Sequence, residues 1–257
     1  MLILERQNAI RDILYKEKAV SITQLSDRFS TSTASIRRDL EKMECQGLVK
    51  RTYGGAILID GIAEEIPVVV REIEQKEAKQ RIAQEAVKLI TPRDTIFMDS
   101  STTTKEMTAF MGDLKSLTVI TNGIRTMTDM SELPNVEVYS LAGKLRKENL
   151  SVVGNQAETG VTNYWASKLF FSCTGMWMSH GPMDYSEEEA EVRKKMMSVS
   201  QEIILLCDHT KFDRSAFYKI CPFSQVNILI TDQKLSPSWE NLLQQNRVEL
   251  IYTEDEA

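Results

Sequence analysis

Two groups of side chains are spaced for chemistry with anions. The first is Thr31-Ser32-Thr33-Ala34-Ser35-Ile36-Arg37-Arg38-Asp39-Leu40. Ser32 can cap a helix, its hydroxyl accepting from a free amide of the first turn. Ile36, Leu40 and Met43 recur at i, i+4, i+7 as one apolar stripe, and Ala34, Arg37 and Arg38 fall on the opposite side. A helix with a hydroxyl-rich start (Ser32, Thr33, Ser35) and two arginines facing away from its core can enter a major groove. A guanidinium there bonds the edge of guanine through two hydrogen bonds, or grips a phosphate. Solvated arginines on an ordinary surface helix fit the decapeptide equally well, so the flanking sequence decides.

The second group lies at the ends of apolar runs in the remainder of the chain. After Ile96-Phe97-Met98 comes Asp99-Ser100-Ser101-Thr102-Thr103-Thr104, a hydroxyl-rich turn into a helix. Free amides, a favourable dipole and side-chain donors there suit a phosphate, although simple capping also explains the pattern. Asn122 closes another run and can bond a sugar hydroxyl or cap a turn. Gly143, Lys144 and Arg146 follow a third, where a cation can neutralise a phosphate or simply be solvated. Asp208 and Lys211, within Cys207-Asp208-His209-Thr210-Lys211, can pair, hold a ligand or act as acid and base. The acidic run from Asp184 to Glu191 reads as a helix start: Ser186 and Glu189 make a capping box, and Glu187 and Glu188 suit the positive end of the dipole. Glu189 is also a candidate for the pocket. No metal site and no cofactor are expected.

These residues need elements to hold them. Residues 3–17 read as a helix with Ile10, Ile13 and Leu14 inward and Arg6 and Arg11 outside. A second helix starts at Ser21, with Ile22, Leu25 and Phe29 inward, and Ser30-Thr31 turns into the arginine helix, which Gly47 ends. That is a helix-turn-helix plan. Residues 48–57 read as two short strands around a basic turn, placing Lys50, Arg51 and Tyr53 on a wing. Residues 58–71 form a linker broken by Asp60-Gly61 and Pro67, followed by a helix over 72–90. Strands are expected over 95–98, 117–121, 136–141, 168–172, 203–207, 228–231 and 249–252. Helices are expected over 103–112, 123–130, 155–165, 187–200 and 238–245. This alternation predicts an α/β domain over 72–257 with a mostly parallel sheet, whose ligands bind at the carboxyl ends of strands.

Charge supports the division. Residues 1–59 hold ten Lys+Arg against seven Asp+Glu, a net +3; the remainder holds 21 against 30, a net -9, giving -6 for the 257 residues. A basic head on an acidic body suits a DNA reader joined to a domain of another kind. The four cysteines form no Cys-x-x-Cys pair, and no apolar run is long enough for a membrane span. A reducing cytoplasm is therefore the expected setting.

Residues 3–57 resemble the winged helix-turn-helix of the DeoR family of bacterial transcriptional regulators, through Ser35-Ile36-Arg37-Arg38-Asp39-Leu40 and Gly54-Gly55. Residues from about 75 to 232 resemble that family's sensor domain, related in fold to ribose-5-phosphate isomerase. The resemblance rests on Asp99-Ser100, Thr102-Thr103, Thr121-Asn122, Gly143, Gly154, Glu189 with Lys195, and Asp208 to Phe212. Ser101 and Ala142 stand where glycines are common. The resemblance implies a repressor on double-stranded operator DNA, acting as a dimer or tetramer and released by a phosphorylated sugar or related metabolite. Asp39 is expected to orient Arg37, Arg38 or a helix end. The alternative is a sugar-phosphate isomerase with an appended DNA domain, using Asp99, Glu189, Asp208 and Lys211 as acids and bases.

Overall fold

A computed structural model describes residues 19–45, 49–57 and 66–254 together with residues 6, 7, 9, 10, 13, 14 and 17, with the backbone alone at 45 and 50. The chain forms two compact units, Met1–Pro67 and Val68–Ala257.

In the first unit the described residues between 6 and 17 are helical. Strand β1 (Ala19–Ser21) leads into α1 (Ile22–Arg28), which starts with a complete capping box between Ser21 and Gln24. Ser30, at φ 47°, turns the chain into α2 (Thr33–Cys45). The wing is a hairpin of β2 (Lys50–Thr52) and β3 (Gly55–Ile57), in which Thr52 faces Gly55 and Tyr53-Gly54 forms the tip. β1, a strand the periodicity does not predict, pairs with the other edge of β3. This explains Gly55: a Cβ there would lie 2.0 Å from the Val20 carbonyl oxygen. Ile10, Leu14, Leu25, Ile36, Leu40, Met43 and Ala56 form one core, so the i, i+4, i+7 stripe of α2 faces inward. The expected stop at Gly47 and most of the expected linker lie outside the described residues.

The second unit opens with α3 (Val68–Ile73) and α4 (Lys76–Lys88), where one helix over 72–90 is expected. The break is at Gln75, at φ 50°. A continuous helix would hydrogen-bond the Arg71 carbonyl to the amide four residues on; here the ammonium of Lys79 takes that carbonyl instead. Residues 68–71, expected in the linker, belong to α3.

All seven expected strands form, as one parallel sheet. They are β4 (Thr95–Met98), β5 (Leu117–Thr121), β6 (Val136–Ser140), β9 (Ala166–Phe171), β12 (Ser200–Leu206), β14 (Ile228–Thr231) and β15 (Glu249–Tyr252), in the order β15-β14-β12-β9-β4-β5-β6. Alternation along β9 fills both faces. Leu169 and Phe171 join the core that holds α7 (Asn155–Val161), α8 (Glu187–Ser198) and α9 (Pro237–Gln245), and Phe170 joins the core under α4. α6 (Ile124–Met130) also forms as expected, but the helix expected over 103–112 is one turn, α5 (Thr102–Lys105), continued as 3₁₀ helix over Glu106–Phe110. Two small antiparallel sheets, β7 (Lys144–Arg146) with β8 (Ser151–Val153), and β10 (Gly175–Trp177), β11 (Gly181–Asp184) and β13 (Tyr218–Lys219), add to these. From β4 the chain runs outward through β5 and β6, then returns to lay β9 on the other side of β4. This reversal opens a crevice at the carboxyl ends of β4 and β9.

Candidate effector site and nucleic-acid interface

On α2 the Ser32 hydroxyl caps the helix, accepting from the Ser35 amide at 3.1 Å, and its oxygen lies 3.0 Å from that of Ser35. Ser32, Thr33, Arg37 and Arg38 are exposed, and the two guanidinium groups make no ion pair among the described residues. Asp39 orients neither of them. It is buried in the head core, accepting from Arg6 Nε at 2.6 Å and Gln7 Nε2 at 3.3 Å. Asp39 therefore ties α2 to the first helical segment, and Arg6, expected outside, is its partner because a buried carboxylate needs a cation. On the wing, Tyr53 at the tip is fully exposed. Arg51 is exposed, its amide donating to Glu44 Oε1 at 2.8 Å and its guanidinium 3.8 Å from Glu44 Oε2. Lys50 lies on β2, and its side chain is outside the description.

At the carboxyl end of β4, the Asp99 carboxylate spans the crevice. One oxygen accepts from the Ser101 amide and the Thr104 hydroxyl; the other accepts from the Ser172 amide beyond β9 and from Arg193 Nε at 2.6 Å. Arg193, fully inside, also donates to Asp184 Oδ2 at 2.8 Å and lies 3.8 Å from Glu189 Oε2. Burial lowers its pKa, but Asp184, Asp99 and Glu189 together hold it above the ordinary guanidinium value. Glu189 accepts from the Ser100 hydroxyl at 2.9 Å, the Asn149 amide at 2.9 Å and the Ser151 hydroxyl, and Arg146 lies 3.9 Å away. The expected capping box is thus half made: Ser186 accepts from the Glu189 amide, while the Glu189 carboxylate turns into the crevice. Asn149 joins this network to α3, donating to Ser100 Oγ at 3.0 Å and accepting from Arg71 Nη2 at 2.6 Å.

A second group sits at the end of β12. Asp208 is fully buried, with Oδ1 taken by the Thr210 amide and hydroxyl and Oδ2 without a hydrogen bond, 3.8 Å from Lys211 Nζ. Burial raises the Asp208 pKa, but Lys211, Thr210 and Lys79 outweigh it and leave the group below the ordinary carboxylate value. Lys79 of α4 is 2 % exposed. Burial above all, then repulsion from Lys211, brings its pKa down to about 7.

Of the residues predicted to contact a ligand, Asp99, Ser100, Ser101, Arg146 and Glu189 share one network. Asp208 and Lys211 form the other. Thr102 and Thr103 are buried in α5, and Thr104 binds Asp99 in their place. Asn122 donates to the Val152 carbonyl, leaving its buried Oδ1 without a hydrogen bond. Gly143, at φ 153°, lets the Val153 carbonyl come within 2.6 Å of where a Cβ would stand. Lys144 belongs to neither network: it is 66 % exposed and pairs with Glu188 at 3.0 Å. Lys195 is exposed, and the cation beside Glu189 is Arg193. Arg193 could have been read from its i, i+4 spacing to Glu189. Lys79 and Asn149 carry no such signal.

Residues 6–61 match the DeoR-like helix-turn-helix domain, and residues 74–233 match the DeoR C terminal sensor domain. The chain is a DeoR-family transcriptional regulator. It is 36% identical over 250 residues to the HTH-type transcriptional regulator YulB of Bacillus subtilis (strain 168), covering 97% of this chain and 96% of that protein. With the HTH-type transcriptional repressor GlcR of the same organism it shares 31% over 260 residues, covering 98% and 97%. A solved ribose 5-phosphate isomerase from Methanocaldococcus jannaschii overlaps 54% of this chain and 55% of its own, at 14% identity and a TM-score of 0.41. The DeoR-family regulator thus carries its DNA-binding domain in the unit with exposed α2 and its sensor domain in the unit with the two buried networks. No helix among its described residues is long and apolar enough to cross a membrane.

Proposed function

We propose that this regulator represses a carbohydrate-metabolism operon and leaves its operator when a phosphorylated sugar or related metabolite enters the crevice. Ser32, Thr33, Ser35, Arg37 and Arg38 contact the major groove, and Lys50, Arg51 and Tyr53 of the wing contact the backbone or minor groove. One head reads few base pairs, so the working species is a dimer or tetramer on paired half-sites, in the cytoplasm.

The observation that carries the effector reading is the buried carboxylate of Asp208 with Lys211 3.8 Å away, one Asp208 oxygen having no hydrogen bond among the described residues. The oxygen left open on Asp208 can accept from a ligand hydroxyl, and Lys211 beside it adds a cation for an anionic effector. Ser100, Asn149 and Glu189 offer donors and acceptors for sugar hydroxyls, flanked by Ser101, Thr102, Thr103, Asn122, Gly143 and Arg146. GlcR, by name a repressor, supports the sign of regulation.

Each acid of the enzymatic alternative lies beside a cation. Asp99 and Glu189 face Arg193, and Asp208 faces Thr210 and Lys211. A thermal-shift panel of phosphorylated sugars with the full chain, read beside recovery of each sugar, tests the reading. The expected result is a rise in Tm with one or a few of them and every sugar recovered unchanged. Isomerised product would reverse the choice.

A further inference from the structure

The crevice is shut, and the segment that shuts it is the one through which the chain joins the two units. The cleft between α3 and the ends of β4 and β5, lined by Val68, Ser100, Ser101, Arg125, Thr126 and Asn149, has a volume of about 10 Å³. That is room for about one water, far below the hundreds of cubic ångströms a small metabolite needs. α3 fills it through three polar contacts. The Val68 amide donates to the Glu148 carbonyl at 3.3 Å, Arg71 donates to Asn149, and Glu72 lies between two cations. One Glu72 oxygen contacts Arg125 Nη1. The other is 3.7 Å from Lys105 Nζ, and is buried without a hydrogen bond.

A carboxylate between an arginine and a lysine, at the mouth of a polar crevice, has the form of a bound anion supplied by the chain itself. Glu72 fits the place imperfectly: its oxygen toward Lys105 is 3.7 Å away and makes no hydrogen bond among the described residues. Asp129 shares Lys105 from the far side at 3.2 Å, which holds that ammonium in place. The tether gives Glu72 a high local concentration, so a simple monoanion competes poorly. A phosphate brings up to two charges and three acceptor oxygens, and gains further contacts through whatever it is attached to.

We propose that Lys105 and Arg125 form an anion seat that Glu72 occupies in this structure, and that an effector phosphate takes the seat by expelling Glu72 and lifting α3. This rests on the phosphorylated-effector reading and adds to it how a ligand reaches the DNA-binding unit. Filling the crevice requires α3 to move, and α3 begins at the residue that follows Pro67, so the linker to the head is repositioned by the same step. The coupling is reciprocal: operator binding, which favours α3 seated, weakens phosphate binding by the factor with which phosphate weakens operator binding.

The test uses the full chain and inorganic phosphate as probe, by calorimetric titration at ionic strength fixed with chloride. Glu72→Gln empties the seat of its competing charge, and phosphate is expected to bind at least about tenfold more tightly than to the native chain. Adding Arg125→Gln is expected to abolish the gain. In the absence of phosphate, Glu72→Gln is also expected to bind an operator fragment more weakly than the native chain, because α3 is already loosened. Equal phosphate affinity in the native chain and Glu72→Gln, or a gain that survives Arg125→Gln, would overturn the seat. Should Glu72→Gln not fold, Arg125→Gln alone serves: it is expected to make the operator complex resistant to release by sugar phosphates. A sugar phosphate that releases the operator equally from the native chain and from Arg125→Gln would overturn the seat and leave the phosphorylated-effector reading standing. Release by no member of the panel would overturn both.

Discussion

The two units use charge in opposite ways. On α2, Arg37 and Arg38 are exposed and make no ion pair among the described residues, while the adjacent acid, Asp39, is turned inward to Arg6. In the sensor, Arg193 and Lys79 are almost completely buried, and Arg193 is ringed by three carboxylates. An exposed cation gains its energy from a polyanion that arrives later and is screened by salt. A buried one has its energy tied to the fold and is scarcely screened. The head is therefore a surface that works by being unsatisfied, and the sensor a preorganised network in which a ligand must displace something to enter.

Substitutions that remove one cation from each unit break the comparison most sharply. Arg193→Met strands Asp99, Asp184 and Glu189 without their shared partner, and a buried pair broken from one side costs about 3–5 kcal/mol. The expected outcome is a large fall in Tm of the sensor, little affected by added salt. Arg37→Ala with Arg38→Ala leaves Tm unchanged, because neither side chain is buried. At about 1–3 kcal/mol for each base-reading arginine, specific operator affinity falls at least about 30-fold, as read by gel shift. Unchanged binding would remove α2 from the interface. Lys211→Ala leaves operator affinity intact and raises the concentration of sugar phosphate needed for release about tenfold or more, by analogy with other charge-assisted contacts.

The smallest effect is a dependence on pH. The pKa of Lys79 lies near 7 in the folded chain, with Lys211, Asp208, Arg71 and Glu106 around it, and at 10.5 when unperturbed. Between these values the unfolded chain holds a proton that the folded chain lacks, so this group makes stability rise with pH through that window and adds nothing below it. The expected gain is about 1 kcal/mol from pH 7 to pH 8 at 1.36 kcal/mol per pKa unit, measured by denaturant titration. Lys79→Met flattens that slope.

The same contrast explains what was legible in the sequence. Arg37, Arg38 and the stripe of Ile36, Leu40 and Met43 were readable because a helix's exposed and buried faces both follow one local period. The seven parallel strands were readable because each is a short apolar run. The networks were not, because partners such as Asp99 and Arg193 lie 94 residues apart in sequence and are brought together only by the order of the strands in the sheet. Asp99, Ser100 and Glu189 showed themselves as residue types at strand and helix ends; Asn149, Asp184 and Lys79 acquire their meaning only from what they touch. The break at Gln75 was hidden because residues 72–78, Glu-Ile-Glu-Gln-Lys-Glu-Ala, hold no glycine or proline to mark it, and it is the Lys79 contact with the Arg71 carbonyl that accompanies it.

The central claim, that a phosphorylated ligand in the sensor governs the grip of the head, is tested most directly by fluorescence anisotropy of a labelled operator fragment bound to the full chain. The complex is titrated with phosphorylated sugars and, in parallel, with the same sugars lacking phosphate. The expected result is a fall in anisotropy with at least one phosphorylated sugar and none with its unphosphorylated counterpart. Release by neither set, or by both sets at the same concentrations, would contradict the account.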